Sequence, residues 1–423
     1  MTEPVSAAKP APPGFSGYQK IVVAILALLQ FSVILDFVLM APLGAVIMPA
    51  LAISPKQFGL VVSAYAFAAG TSSLLTAGFA DRFDRKKLLL FFYCGFMLGT
   101  VWCGLAQSFE SLLAARVFTG IFGGVIGSIV MAITTDLFSP AMRGRVMGTI
   151  QSAFAASQVL GLPAGLYLSN HWSWHMPFLA MAAFGLLVGI FVTIKLQPVN
   201  AHLGLKQEHS PWVHLFHTVT DPRHLTAFIA VCFLATGGFM LMPFSSAYMA
   251  NNIGIGIESL PTVYLITGLF TIFFGPVIGK AADALGKFRV FLFGAALSIT
   301  MVLIYTHLGP VTLPVVIVVN VVLFFAIMSR MVPFQALASQ IPAPTHRGSF
   351  NSISSAVQQF SGGLASVLAG HIVTAGENGK LDHMDMVGYV VASVTVLTTV
   401  LVWNMNRRIS SEQAAQKQAA AQA

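Results

Sequence analysis

Three ionisable residues stand inside long apolar stretches of this chain of 423 residues: Asp36, Arg116 and Arg330. A charged side chain costs on the order of 3 kcal/mol at the centre of a lipid bilayer, so a charge at such a position needs a partner or a function. A buried carboxylate can bind and release a proton or hold a cation. A buried guanidinium can hold an anion or adjust the protonation of a nearby acid.

Each of the three residues also has a purely structural interpretation. Asp36 would then pair with a buried arginine or with backbone groups, and Arg116 would extend to outer water. For Arg330 the structural interpretation is a pair with Asp36, and the functional one is attraction of an anionic or hydroxyl-rich substrate. We expect the three side chains to line a water-accessible gap, where Asp36 exchanges protons and Arg116 tunes that exchange.

The composition indicates that these residues lie in a membrane. Hydrophobic residues make up 56% of the chain and charged residues 9%, with a mean hydropathy of +0.81, whereas soluble chains carry roughly 25% charged residues. Most apolar runs reach the roughly 20 residues that a helix needs to cross the hydrocarbon core. We predict twelve membrane-spanning helices, called spans 1 to 12, at roughly 20–47, 57–80, 88–107, 111–138, 146–169, 174–196, 224–250, 259–282, 289–308, 312–341, 349–374 and 385–406.

Two charged loop patterns recur once each at almost the same interval. The pattern that begins at Asp81 returns at Asp283, an offset of 283 − 81 = 202, and the pattern around Arg143 returns at Arg347, an offset of 347 − 143 = 204. A repeat of this length indicates two homologous halves rather than a solenoid. The predicted organisation is an N-terminal tail, a first six-helix bundle, a linker, a second six-helix bundle and a C-terminal tail, at residues 1–19, 20–196, 197–223, 224–406 and 407–423.

Basic residues fall almost entirely on one side of these spans. With the N-terminus placed inside, the inner loops and tails hold 18 lysines and arginines, and the outer loops hold two, Lys56 and Lys380. The positive-inside rule then places both termini in the cytoplasm, in a multi-pass protein of the inner (plasma) membrane. The net charge of +8 reflects this topology, and we expect no nucleic-acid partner.

We expect neither a cofactor nor a metal site. The three cysteines, Cys94, Cys103 and Cys232, all fall inside predicted spans, which favours neither a disulfide framework nor metal binding. The sequence contains no Walker-type phosphate-binding loop, so we do not expect this chain to use ATP.

Three motifs carry a resemblance to a known family. The loop after span 2, from Ala77 to Lys86, follows Gly-x-x-x-Asp-Arg-x-Gly-Arg-Lys, with Ala77 and Asp84 in place of the two glycines. Span 4 contains Arg116-x-x-x-Gly120, and span 5 contains Gly161-Leu-Pro-Ala-Gly. The chain resembles the major facilitator superfamily over nearly all its length, in the branch of drug and sugar-efflux-type proton antiporters such as arabinose efflux permeases.

The resemblance implies an all-α membrane protein with twelve transmembrane helices in two pseudo-symmetric six-helix bundles. It implies a secondary active transporter, monomeric in the lipid bilayer, that exports a small organic molecule in exchange for protons by alternating access. The runner-up is a proton symporter or facilitator for uptake. A polytopic membrane enzyme is less favoured, because the buried ionisable groups are few and scattered, and we do not expect an enzyme.

The resemblance also implies a latch between the halves at the cytoplasmic face. Asp81 would hold span 2 to the start of span 11, where the partial positive charge of a helix N-terminus favours a carboxylate. Plain positive-inside charge and helix capping are the alternative explanation. The predicted latch residues are Asp81, Arg82, Arg85, Asp136, Arg143 and Asp283.

Other residues are candidates for the substrate path and for helix packing. Pro42 and Pro243 match across the repeat at an offset of 201, and interrupted helices at matching positions are typical of a transporter's binding site. The polar candidates for a cavity are Gln30, Tyr65, Gln151, Gln158, Asn320, Gln335 and Gln358. The candidates for close helix packing are Gly120, Gly124, Gly161, Pro163 and Gly165.

Overall fold

The computed structural model describes residues 14–76, 80–200, 203, 218–342, 347–376 and 379–422. The fold is helical, apart from one hairpin of two very short strands. Twelve transmembrane spans form two pseudo-symmetric six-helix bundles, as the sequence predicts. We call the end of the molecule that holds the start of span 1 the tail end, and the opposite end the far end.

The described residues of the first half form eight α-helices in six spans. Span 1 is broken into two helices and span 5 is interrupted by a π-helical turn, Ser157–Gly161. In chain order the helices are α1 Gly17–Met40 and α2 Gly44–Ala50 (span 1), α3 Pro55–Thr76 (span 2), α4 Arg85–Leu105 (span 3), α5 Phe109–Leu137 (span 4), α6 Pro140–Ala156 and α7 Leu162–His171 (span 5), and α8 Met176–Lys195 (span 6).

The second half repeats this plan. Its helices are α9 Pro222–Leu241 and α10 Ser245–Asn251 (span 7), α11 Leu260–Leu285 (span 8), α12 Lys287–Thr306 (span 9), α13 Leu313–Ala338 (span 10), α14 Arg347–Ile372 (span 11) and α15 Met384–Gln422 (span 12). Strands β1, Thr374–Ala375, and β2, Leu381–Asp382, pair antiparallel between spans 11 and 12. The last helix continues through the predicted C-terminal tail, because its alanine, glutamine and lysine residues favour helix.

The breaks in spans 1 and 7 lie at the same position in the repeat. The second helix of span 1 covers 44–50 and that of span 7 covers 245–251, and 245 − 44 and 251 − 50 both equal 201. Pro42 and Pro243 lie in the two breaks, where a proline removes a backbone donor and clashes with the preceding turn. The offset of 201 residues that the sequence predicts from Pro42 and Pro243 therefore also relates the matching helices of the two halves.

Within the described ranges, ten helices are long and apolar enough to cross a membrane by length and composition. Spans 5 and 11 are not among these ten. Span 5 is divided by its π-helical turn just before Pro163, and span 11 is rich in serine and glutamine. Both spans lie at contacts between the halves, so part of their surface faces protein rather than lipid.

The halves meet where span 2 packs on span 11 and span 5 packs on span 8. Glycines allow this approach: a Cβ added to Gly59 would lie 2.7 Å from the carbonyl oxygen of Ser366, and one added to Gly268 would lie 2.9 Å from that of Gln158. Toward the far end one hydrophobic cluster draws on both halves, including Met40, Phe244 and Ala369. Toward the tail end the described apolar residues form separate clusters in each half.

A polar clasp joins two connections at the far end of the second half. The side-chain amide of Asn252 donates to the carbonyl oxygen of Leu381 at 2.9 Å, and its oxygen accepts from the Leu381 N–H at 2.9 Å. The Asn251 amide donates to the carbonyl oxygen of Gly379 at 2.7 Å. The end of span 7 is thus fixed to the hairpin between spans 11 and 12.

Candidate functional site

Asp36 and Arg116 form an ion pair in the interior of the first half. Asp36 lies on α1 four residues before its end, and Arg116 lies in the third turn of α5. The Arg116 Nη1 donates to Asp36 Oδ2 at 2.7 Å, and the two side chains are 1% and 0% exposed. A short, charge-assisted bond in a dry interior is stronger than its counterpart at a surface.

Neighbouring side chains from spans 2 and 3 complete this site. The Thr100 hydroxyl lies 3.4 Å from Asp36 Oδ1 and 3.0 Å from the carbonyl oxygen of Phe96, so it links span 3 to the carboxylate. The guanidinium carbon of Arg116 lies 4.5 Å from the centre of the Tyr65 ring, a cation–π contact. The Arg116 Nε has no hydrogen-bond partner in the part of the chain that the structure describes.

Glycines on span 4 bring Arg116 over Tyr65. A Cβ on Gly120 would lie 2.5 Å from the Tyr65 carbonyl oxygen, and one on Gly124 would collide with the backbone of Ala69. A Cβ on Gly123 would lie 2.7 Å from the Tyr65 hydroxyl oxygen. Because spans 2 and 4 touch backbone to backbone, the arginine has no room to turn away from the ring.

In this conformation the two residues do not take the alternative contacts that the sequence left open for them, and they do not line the expected gap. Arg116 does not extend to outer water, because Asp36 and Tyr65 hold it inside the bundle, where the whole residue is 0% exposed. Asp36 does not pair with Arg330 and does not line an open gap, because its carboxylate is enclosed within the first half. The buried carboxylate has an arginine partner, but that partner comes from its own half.

Arg330 lies inside the second half, among spans 7, 9 and 10. Its Nη1 donates to the Ser298 hydroxyl of span 9 at 3.0 Å, and the residue is 4% exposed. Its Nη2 lies 3.7 Å from the position that a Cβ on Gly237 of span 7 would take. Among the described residues, Nε and Nη2 of Arg330 have no hydrogen-bond partner.

Some predicted latch residues interact within the first half at the tail end. Arg85 Nε contacts Asp136 Oδ2 at 3.3 Å, which joins span 3 to the end of span 4. Arg143 caps span 4 by donating to the carbonyl oxygens of Phe138 at 3.0 Å and Thr135 at 2.8 Å. These contacts hold the loops of one half together.

Among the described side chains, those of Arg82 and Asp283 show no link between the halves. Arg82 and Asp283 are exposed. The side chain of Asp81 and residues 343–346, which precede span 11, lie outside the described residues. Asp84, which replaces a motif glycine, caps span 3 by accepting from the N–H groups of Lys86 and Lys87 at 2.8 and 3.1 Å. The departure from the motif thus has a local structural role.

The polar candidates for a cavity separate into two groups. Gln151, Gln335 and Gln358 are exposed and Gln30 is half-buried. Gln158, Asn320 and Tyr65 are buried, with the Asn320 amide 3.9 Å from the sulfur of Met249.

The packing candidates on span 5 all lie against span 1 or next to the π-helical turn. A Cβ on Gly161 would collide with the side chain of Leu35, and one on Gly165 would lie 2.5 Å from that of Leu39. Pro163 is the second residue of α7 and follows the π-helical turn directly, where its missing N–H disturbs the regular hydrogen bonds.

Sequence reasoning missed the neutral partners of the charged groups. Thr100 beside Asp36 and Ser298 beside Arg330 are ordinary hydroxyls within apolar helices, with no pattern that marks them. An aromatic row was also missed: Phe37 packs on Tyr65 at 5.4 Å between ring centres and on Phe239 of the other half at 5.6 Å. Phe37 is adjacent to Asp36 in sequence, which was the available signal.

Two six-helix halves in one register, broken at matching helices and carrying buried charge, define a membrane transporter rather than an enzyme. The model of the Major Facilitator Superfamily matches residues 26–366 and 227–421. The chain belongs to this superfamily.

Individual relatives agree with this assignment. The chain is 25% identical over 342 residues to YceJ, an uncharacterized MFS-type transporter of Bacillus subtilis (strain 168), with 80% of this chain and 85% of that protein covered. It is 32% identical over 136 residues to Multidrug resistance protein 3 of the same organism, with 32% of this chain and 27% of that protein covered. The structure of the nucleoside transporter NupG has the same fold, with a TM-score of 0.74, 15% identity, and 92% and 99% coverage of this chain and of NupG.

Proposed function

We propose that this transporter exports a small organic molecule in exchange for protons, and that the Asp36–Arg116 pair couples the two movements. The observation that carries the proposal is the 2.7 Å ion pair at a position where neither side chain reaches solvent. A carboxylate in such a place changes its charge only by taking up a proton. Protonation of Asp36 also removes the negative charge that pairs with the buried Arg116.

The energy of that step is comparable with the energy of a conformational switch, although it is smaller than a nearly complete switch requires. Removing one partner of a buried ion pair costs about 3–5 kcal/mol, because the other charge is left uncompensated. Moving a two-state equilibrium from 1:99 to 99:1 requires about 5.5 kcal/mol. Proton binding to Asp36 would therefore strongly favour a conformation in which Arg116 finds another partner or water.

The aromatic row provides a contact path from the pair to the interface between the halves. The Arg116 guanidinium lies on Tyr65, Tyr65 contacts Phe37, and Phe37 contacts Phe239 of the second half. A shift of Arg116 would disturb the Tyr65 ring and then the contact of Phe37 with Phe239. Packed side chains with two discrete arrangements are how a local charge change reaches a distant interface.

The proposed orientation in the membrane follows from the distribution of basic residues. The inner loops and tails hold 18 basic residues against two in the outer loops, so we assign the tail end to the cytoplasm. The conformation with a common core at the far end is then closed to the outside. Asp36 lies 19 residues after the start of span 1 at Gly17 (36 − 17) and 14 residues before its far end at Ala50 (50 − 36), so it is slightly nearer the side from which protons would arrive. The name of Multidrug resistance protein 3 favours export over uptake.

We further propose that the tail-end contacts act as the latch of the outward-open state. The Arg85–Asp136 pair and the Arg143 cap keep the loops after spans 2 and 4 in one arrangement. A pre-formed loop can present Asp81 to the N-terminus of span 11 when the halves close at the tail end.

The proposal is tested without knowing the cargo by measuring how pH changes the conformation. Spin labels on Ser139→Cys and Ser339→Cys, both exposed at the tail end of opposite halves, report the distance between the halves after the three native cysteines are replaced. We expect the distance distribution to change with pH in the wild type, and to be insensitive to pH in Asp36→Asn.

Glu110→Gln is the matched control, because Glu110 is an exposed acid at the start of span 4. This variant should keep the wild-type response to pH. Cargo found by thermal-shift screening is then tested for flux in proteoliposomes with an imposed pH gradient. Normal gradient-driven flux in Asp36→Asn would refute the coupling role. Proton uptake together with cargo, rather than proton release, would indicate symport.

A further inference from the structure

We propose that Arg330, with Gly237 and Gly238, forms a subsite for the carboxylate of a small organic acid, so that the cargo is an organic anion. This inference depends on the transport function proposed above, because it assigns a chemical class to the transported molecule. It is carried by a buried guanidinium with one edge unpaired and by the lack of a side chain beside that edge at Gly237.

Arg330 is a buried cation without a counter-ion in the described part of the chain. It is 4% exposed, and its one hydrogen bond is from Nη1 to the Ser298 hydroxyl at 3.0 Å. Arginine stays protonated in proteins, so it cannot escape burial by losing its charge. A buried charge is tolerated when an opposite charge and hydrogen bonds compensate it. A bound anion would supply both.

The two unpaired atoms of Arg330 form one recognition edge. Nε and Nη2 have no partner among the residues described, whereas Nη1 is occupied by Ser298. The N–H bonds of Nε and Nη2 point in parallel from the same side of the planar guanidinium. Their spacing matches the two oxygens of a carboxylate, which is the basis of bidentate arginine–carboxylate recognition.

Span 7 places no side chain beside this edge, because positions 237 and 238 are glycines. A Cβ on Gly237 would lie 3.7 Å from Arg330 Nη2 and 3.9 Å from the Thr395 hydroxyl, so the buried position has room for about one carbon atom. A Cβ on Gly238 would meet no described atom within 4 Å, and Gly238 is exposed. A ligand carboxylate that reaches Nη2 from the side of Gly238 would therefore meet no side chain at these two positions.

The repeat gives an independent reason to place a carboxylate here. With the offset of 201, Gly237 of span 7 corresponds to Asp36 of span 1. In the first half this position supplies the carboxylate that pairs with an arginine, and in the second half it has no side chain.

Arg330 is not the repeat counterpart of Arg116, since the offset of 204 pairs Arg116 with Asn320. It lies ten residues further along span 10, nearer the tail end, and still reaches Gly237. A ligand carboxylate would thus occupy, beside span 7, the place that the Asp36 carboxylate occupies beside span 1.

The test uses the purified full-length protein in detergent and two simple carboxylates. Sodium acetate, sodium benzoate, neutral benzamide and sodium chloride are titrated separately, and the thermal unfolding midpoint and the dissociation constant are measured. We expect at least one carboxylate to raise the midpoint, with benzamide and chloride much less effective. Arg330→Gln should weaken carboxylate binding by about tenfold or more, the effect of losing charge-assisted hydrogen bonds.

A second variant keeps the proposal testable if Arg330→Gln does not fold. Gly237→Asp places a carboxylate beside Arg330, and Gly237→Asn is its uncharged control of equal size. We expect Gly237→Asp to unfold at a higher temperature than Gly237→Asn and to lose the response to added carboxylate. The carboxylate titration is an equilibrium binding measurement without a pH gradient, so its failure indicates failure of the subsite, whereas failure of proton coupling is read from the pH response of the spin-label distances.

Three results would each overturn the proposal. The first is a wild-type protein that responds to neither acetate nor benzoate. The second is a carboxylate response that survives in both Arg330→Gln and Gly237→Asp. The third is stabilisation by chloride alone, which would make Arg330 a site for an inorganic ion and remove the assignment of the cargo.

Discussion

Neutralising Asp36 alone should destabilise the protein more than neutralising Asp36 and Arg116 together. In Asp36→Asn the guanidinium of Arg116 would keep its charge at 0% exposure, with Nε already unpaired and only the Tyr65 ring as a favourable contact. Leaving a buried charge without its partner costs about 3–5 kcal/mol. In Asp36→Asn/Arg116→Gln both charges are absent, and the two amides can bond to each other.

The size of the difference follows from this comparison. We expect the single variant to lose about 3–5 kcal/mol of the free energy of unfolding. The double variant should lose about 1–2 kcal/mol less than that, or recover further, so the coupling energy between the two sites should exceed about 1 kcal/mol. The assay is equilibrium unfolding in mixed micelles with increasing sodium dodecyl sulfate, followed by tryptophan fluorescence and circular dichroism.

The control and the contrary outcome are both well defined. Glu110→Gln, an exposed acid on the same helix as Arg116, should change the free energy of unfolding by no more than about 0.5 kcal/mol. Arg116→Gln is measured as the second single variant. If the losses of Asp36→Asn and Arg116→Gln simply add in the double variant, the ion pair does not carry the coupling energy that its 2.7 Å geometry implies.

Two further variants test features of the first half. Gly124→Ala should lower the free energy of unfolding by about 1–3 kcal/mol, because its Cβ would collide with the backbone of Ala69. Gly127→Ala is the control and should be nearly neutral, because its Cβ would meet no described atom within 4 Å. Equal unfolding midpoints for the two variants would show that spans 2 and 4 have room between them. Arg143→Ala should remove two hydrogen bonds at the end of span 4 and shift the inward–outward balance, as read from the distance between labels at 139 and 339; an unchanged distance distribution would argue against the latch.

The fold was predictable because membrane helices obey few rules. Apolar length, the position of basic residues and the repeat offset define twelve spans in two halves, and the break near Pro42 and Pro243 follows from proline chemistry. The irregular π-helical turn in span 5 was not predictable in detail. Its location depends on how Pro163 and the contacts with span 8 are accommodated together.

The candidate site was predictable in its residues but not in its pairing. Asp36, Arg116 and Arg330 stand out because charge is costly in apolar segments. Which arginine meets Asp36 depends on helix rotation and on contacts such as Gly120 against Tyr65, and the sequence of one chain does not contain the angle at which two helices cross. The choice of the nearer partner could therefore be made only from coordinates.

The Asn251–Asn252 clasp restricts how the two halves can separate at the far end. Spans 7, 11 and 12 would otherwise be able to move separately at this end, but three hydrogen bonds of 2.7–2.9 Å fasten the tip of span 7 to the hairpin that joins spans 11 and 12. A movement that preserves these bonds must carry spans 7, 11 and 12 as one rigid block. The halves would then separate between that block and spans 1 and 2, at the contact between the rings of Phe37 and Phe239.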